Sequence, residues 1–189
     1  MKKTLISQDQ FKIMPWKNGS GTTAEIAIEP AGSDFRENNF EWRLSSARIE
    51  DENQFSQFPG YNRLLTVLSG DGLLLNNQEL GPFEVLEFEG EDRIDCALID
   101  SAVEDLGVIF KRDRYQCSLQ ILEVTASMYL RLEEGTHFFL PISHLAIQVG
   151  GTELQPPNFL KVEEAKGIEI TAKAFPAHLL RIEIRKNSH

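Results

Sequence analysis

Cysteine is scarce in this chain. Only Cys96 and Cys117 occur, far apart and outside any CxxC or Cys/His spacing. That excludes a disulfide framework, a zinc ribbon and a dithiol redox motif, and it leaves two free, mostly buried thiols suited to a reducing compartment. Long apolar runs are missing too. Nothing approaches the roughly 20 residues of a membrane span, and the opening MKKTLISQDQ follows its lysines with only Leu5 and Ile6, too little for an export signal. The expectation is a soluble, cytoplasmic protein with no membrane partner. Positive charge is the third shortage. With 19 basic against 29 acidic residues, a net charge of −10 and the basic residues scattered, the chain should repel nucleic acid, which is excluded as a partner.

Helical periodicity is nearly absent as well. The chain reads as short apolar or alternating runs rich in Val, Ile, Leu and Phe, broken by Gly, Pro, Asn and Asp. AEIAIE, FEWRLSSARI, RLLTVLS, FEVLEFE, LGVIFK, CSLQILEV, THFFLP, GIEITA and HLLRIEI are among fourteen such runs. So many short strands in 189 residues predict an all-β fold, a barrel or sandwich, because closure or stacking removes exposed edges. LLTVLSGDGLLLNNQELGPFEVLEF, from Leu64, is echoed by HLAIQVGGTELQPPNFLKVEEAKGIEITA, from His144. Each has an apolar strand, a glycine turn, a short strand, a proline-containing loop and another strand, and such an echo predicts two similar β-barrel halves. No Pro/Gly/Ser-rich linker separates them, so they are expected to pack as one rigid unit. PAGSDFRENN (30–39) and EDENQFSQFPGYN (50–62) read as surface loops.

Catalytic signatures are also lacking: there is no GxSxG, P-loop or dinucleotide fingerprint, and SGDG is a hairpin turn. None of the four histidines, His137, His144, His178 and His189, pairs at HxH or HxxxH spacing. No metal or other cofactor is expected, and His137, near Glu134 on a probable strand, reads as a hydrogen-bonded structural histidine rather than a ligand.

What is present is an excess of donors in PWKNGSGTTAEI, residues 15–26. A turn needs glycine and asparagine, which tolerate positive φ, but not an indole, an ammonium and paired hydroxyls as well. In FEWRLSSARI the period of two puts Trp42, Leu44, Ser46 and Arg48 on one face and Arg43, Ser45, Ala47 and Ile49 on the other. Arg63 opens RLLTVLS on the face of Leu65 and Val67, directly after FPGYN. A guanidinium at a strand's beginning, beside an apolar face, can hold a carboxylate in a bidentate fork. The competing reading is that both arginines pair with surface carboxylates.

PWKNGSGTTAEI, FEWRLSSARI and FSQFPGYNRLLTVLSGDGLLL, in that order and spacing, with a weaker trace in VEDLGVIFKR, resemble the HutD/Ves-type bicupin family over roughly the first 112 residues. The resemblance implies a bicupin, two cupin-like jelly-roll β-barrels packed in one chain, spanning 1–112 and 113–189 with some strand exchange between them. It also implies that the usual cupin metal ligands are missing. The family includes a protein that accompanies bacterial histidine utilisation, for which N-formylglutamate binding has been proposed, and a stress-inducible relative. The pattern highlights Trp16, Lys17, Asn18, Gly19, Gly21, Thr22 and Thr23, then Trp42, Arg43 and Ser45, then Phe58, Pro59, Gly60 and Arg63. From these, the ligand-binding set is taken as Trp16, Lys17, Asn18, Thr22, Thr23, Arg43, Ser45, Phe58 and Arg63. Departures are Ala24, where the family commonly has arginine, Ser20 for a glycine, and a later motif reduced to Asp105, Gly107, Ile109, Lys111 and Arg112.

Two functions follow. The first is a small-carboxylate-binding protein, regulatory or accessory to amino-acid (histidine) catabolism, with an N-formylglutamate-like ligand and scope for a homodimer. The alternative is a metal-independent cupin enzyme, an isomerase or lyase, using a carboxylate such as Glu25 as base; a near-neutral pKa for an interior carboxylate would favour it.

Overall fold

A computed structural model describes residues 1–16, 21–142, 145–173 and 176–187. The expected all-β architecture is what it contains: nineteen strands and two short 3-10 turns among the described residues, with no helix long and apolar enough to cross a membrane. Along the chain these are β1 (Lys2–Ile6), β2 (Lys12–Pro15), β3 (Gly21–Glu29), β4 (Trp42–Ile49), β5 (Asn53–Gln54), β6 (Tyr61–Ser69), β7 (Leu73–Leu75), β8 (Gln78–Leu80), β9 (Val85–Glu89), β10 (Asp95–Leu98) and β11 (Val103–Lys111). They continue as β12 (Tyr115–Val124), β13 (Met128–Arg131), β14 (Thr136–Pro141), β15 (Ile147–Val149), β16 (Thr152–Leu154), β17 (Phe159–Glu163), β18 (Gly167–Ala172) and β19 (Ala177–Lys186).

The chain divides into two compact units. The first, Phe11–Arg114, has a six-stranded sheet in the order β2-β3-β4-β11-β6-β9 and a four-stranded sheet β5-β10-β7-β8. Side chains from both sheets, including Ile49, Leu65, Val67, Leu73, Leu75 and Val103, meet in one buried cluster between them. The second unit, Met1–Gln10 with Tyr115–His189, repeats the plan: β1-β17-β14-β19-β12 faces β13-β18-β15-β16. Its filling includes Phe139, Ile147, Val149, Leu160, Ile168 and Leu179. Burying each such side chain contributes roughly 1.5–3 kcal/mol, which is how strands of only three residues hold their place.

β1 was not expected as a strand, because KKTLI offers only two apolar residues. Pairing supplies what pattern does not: Lys2–Ile6 runs antiparallel to β17, with Leu5 opposite Leu160.

The internal echo is real but shifted by one strand. β15, Gly150-Gly151 and β16 correspond in pairing to β7, Asn76-Asn77 and β8, since β7 and β15 each lie between a short hairpin partner and a later strand. The GDG turn is not the counterpart of GG. Asn76 and Asn77 both have positive φ, as do Gly150 and Gly151, and a two-residue hairpin loop of type I′ requires this at both positions. Asparagine tolerates the left-handed region, so the same turn is written in different letters.

Candidate functional site

The large sheet of the first unit determines which side chains face its interior. β4 alternates as expected: Arg43 and Ser45 are buried on the face of Ala47 and Ile49, while Trp42, Leu44 and Ser46 are buried on the other. β3 breaks its own alternation. Between Glu25, opposite Ser45, and Ala27, opposite Leu44, Ile26 is an extra residue, and this β-bulge re-aims the strand. Glu25, opposite Ser45 and so on the face of Arg43, is buried against it, and Arg43 Nε donates to Glu25 Oε2 at 2.7 Å. The Arg43 guanidinium also lies 4.3 Å from the centre of the Phe35 ring, a cation–π contact supplied by the 30–39 loop. Among the described residues its buried Nη2 has no hydrogen-bond partner.

Arg63 is held differently. A turn with Gly60 at φ 86° and Tyr61 N donating to Phe58 O closes the preceding loop. Two residues on, Arg63 sits opposite Ile109 of β11 and Phe88 of β9. Its guanidinium is framed by the rings of Phe55 at 4.8 Å, Phe88 at 5.0 Å and Phe58 at 5.9 Å, and Nη1 donates to Ser56 O at 3.1 Å. Phe58 is itself braced by Phe40 and Tyr61, whose hydroxyl donates to Phe40 O at 2.7 Å. Among the described residues no carboxylate lies within ion-pairing distance of Arg63. Accessible surface makes Arg63 only half-buried, although protein surrounds it closely enough to depress its pKa to about 10.

Asp105 completes the interior, and motif reasoning did not place it in the site. It is buried opposite Ala47, whose N–H donates to Oδ1 at 2.8 Å. Burial pushes its carboxyl up to about 7, against the pull of that N–H and of Arg63. The nearby Cys96 thiol rises to about 12, chiefly through burial.

The PWKNGSGTTAEI hairpin is explained in part. Trp16 Nε1 donates to Thr23 Oγ1 at 2.8 Å, and the indole packs on the buried cluster as a wall. Gly21 is required by close approach, because a Cβ there would stand 2.3 Å from Arg48 O and 3.1 Å from the indole. Thr22 is exposed opposite Arg48, on the face away from Thr23 and Glu25, and is not brought into the site. Lys17, Asn18, Gly19 and Ser20 lie outside the described residues. Thus Trp16, Thr23, Arg43, Ser45, Phe58 and Arg63 share one unit's interior. Phe35, Phe55, Phe88 and Asp105 were missed; for Phe35 and Phe55 the aromatics in the two loops were the available signal.

In the second unit His137 is buried, with Nε2 bonded to Glu133 O at 2.9 Å and Nδ1 3.5 Å from Arg181 Nη2. Arg181 donates to Glu183 Oε2 at 2.7 Å, and Arg185 Nε stands 3.2 Å from Glu183 Oε1. Among the described residues no group of three or more candidate ligands could hold a metal.

The HutD family model matches residues 8–179. The chain belongs to the HutD family. It is 38% identical over 157 residues, 80% of each chain, to an uncharacterised 21.2 kDa protein from the region 3′ of hutC in Pseudomonas putida. To protein Ves of Citrobacter koseri it is 28% identical over 120 residues, 60% of this chain and 61% of that one. The solved structure of HutD from Pseudomonas fluorescens superposes with a TM-score of 0.83 at 28% identity, covering 99% and 100% of the two chains. YhhW of Escherichia coli shares the fold at 9% identity, with a TM-score of 0.70 over all of both chains. The HutD match takes in every residue of the interior described above.

Proposed function

We propose that this HutD-family chain binds a small carboxylate in the interior of its first unit, as an accessory or regulatory protein of amino-acid catabolism. Each unit is read as a cupin-like jelly-roll barrel, an assignment supported by the paired sheets and the cupin-like fold of the structural neighbours. Arg63 carries the reading: a guanidinium in an aromatic frame, with no carboxylate of its own, while Arg43 beside it is occupied by Glu25. A carboxylate would give it the bidentate partner it lacks. Histidine utilisation is supported by the Pseudomonas putida relative from beside hutC, and an N-formylglutamate-like ligand fits both that neighbourhood and the guanidinium of Arg63. Calorimetric titration with a panel of small dicarboxylates that includes N-formylglutamate tests it; no binding by any of them sinks it.

One observation favours the enzyme alternative. Glu25 is tied to Arg43, but Asp105 is an interior carboxylate brought to about 7, suited to accept a proton near neutrality. Turnover of a panel member, followed by NMR and abolished in Asp105→Asn, would decide for it.

A further inference from the structure

Asp105 and Glu25 occupy the same interior yet are held in opposite ways. Glu25 has Arg43 at 2.7 Å, whereas Asp105 has a backbone N–H and, among the described residues, no cation within ion-pairing distance. The charged and titratable groups that act on it are Arg63 from β6, Cys96 from β10 and Glu104 beside it on β11, with the Arg43–Glu25 pair farther along the same sheet face. Between the Asp105 and Arg63 levels of the sheet stands Gly107, opposite Leu65 and Ser45. A Cβ at Gly107 would stand in ordinary contact with Leu64 O at 3.7 Å and Leu65 Cδ1 at 3.8 Å, and as a glycine the residue puts no side chain between the two levels.

We propose that an anion docking on Arg63 drives a proton onto Asp105, so that the pocket takes up its carboxylate ligand and a proton together. This rests on the carboxylate-binding reading above. Arg63 is the cation whose field favours ionised Asp105. An anion on Arg63 cancels that field and adds a negative charge of its own to a space of low dielectric, and both effects raise the proton affinity of Asp105. The free carboxyl already stands at about 7, so the uptake falls in the neutral range. By linkage, affinity is full where Asp105 is protonated before the ligand arrives, and it falls about tenfold per pH unit above that.

Calorimetry of the full chain with N-formylglutamate and glutarate, at about pH 5.5 and about pH 8.5 in buffers of different ionisation enthalpy, tests this. Wild type should take up close to one proton per ligand at the higher pH and lose up to about thirtyfold in affinity across the range. Asp105→Asn keeps an oxygen for the Ala47 N–H but cannot titrate, so it should bind equally at both pH values with no proton uptake. Binding by wild type with equal affinity and no uptake overturns the inference and leaves the carboxylate reading standing. Uptake that persists in Asp105→Asn assigns the proton elsewhere and overturns it too. No binding by either protein at either pH overturns both. Carboxyl-carbon NMR reads the site without a substitution: the Asp105 resonance should titrate near neutrality in the free protein and at higher pH with ligand, and an unmoved midpoint overturns the proposal.

Discussion

Each unit of this chain sets an arginine on the interior face of its large sheet, half-buried Arg63 in the first and buried Arg181 in the second, and the two meet different fates. In the second unit Arg181 donates to Glu183, touches His137 and shares Glu183 with Arg185, while the apolar filling of Phe139, Leu160 and Leu179 continues alongside. In the first unit half-buried Arg63 meets aromatic faces and a backbone carbonyl. A guanidinium neutralised from within has little to offer a ligand, since displacing its carboxylate would leave that charge buried and alone. One with no carboxylate within ion-pairing distance among the described residues still has its strongest interaction to make. Strand plan does not separate the two; neighbouring side chains and loops do.

Truncating each arginine in turn would break or sharpen this contrast most. Arg63→Ala should weaken carboxylate binding by at least tenfold, because losing one partner of a desolvated charge pair typically costs roughly 2–5 kcal/mol, while the unit stays folded. Arg63→Lys should fall well short of rescue, since an ammonium lacks the planar fork. Arg181→Ala should do the reverse: unchanged affinity, but a fold weakened by about 3–5 kcal/mol as Glu183 is left with only half-exposed Arg185. Calorimetry and denaturant melts on the same three variants measure both halves. Equal loss of binding in Arg63→Ala and Arg181→Ala would erase the distinction.

Gly21→Ala probes the hairpin beside the pocket. The new methyl would stand 2.3 Å from Arg48 O, so the strand pair must shift at a cost of about 1–3 kcal/mol, read as a lowered midpoint and altered Trp16 fluorescence.

The units should also answer pH in opposite senses. Asp105 titrates at about 7 when folded, well above the ~3.9 of an unfolded aspartate, so the folded state keeps a proton the unfolded chain has lost. Its ionisation therefore opposes folding, and stability falls as pH climbs from about 4 to about 7. His137 is held below its ordinary value, first by burial, so the unfolded chain protonates first and stability is lost as pH drops through about 6.5. Asp105→Asn should accordingly gain on wild type at about pH 8, and His137→Gln at about pH 5, in denaturant melts. The smallest effect is expected from Thr23→Val, which removes the acceptor of the Trp16 indole at about 1 kcal/mol and should leave the pH responses unchanged.

Alternation and composition carried much of this into the sequence. The period of two in FEWRLSSARI sorted Arg43 and Ser45 from Trp42 and Leu44, and FPGYN announced the turn that delivers Arg63, because both depend on backbone geometry within a few residues. The repeat was legible only to within one strand, since Asn76-Asn77 and Gly150-Gly151 make the same turn from different residues. Non-local pairing decided the rest. Only the register of β3 on β4 sets Glu25 against Arg43, only the pairing of β6 with β9 sets Phe88 beside Arg63, and only the meeting of two sheets removes water from Asp105. Local sequence sets which face a side chain takes; what waits on that face, and how much water remains there, depends on strands that are distant in the chain.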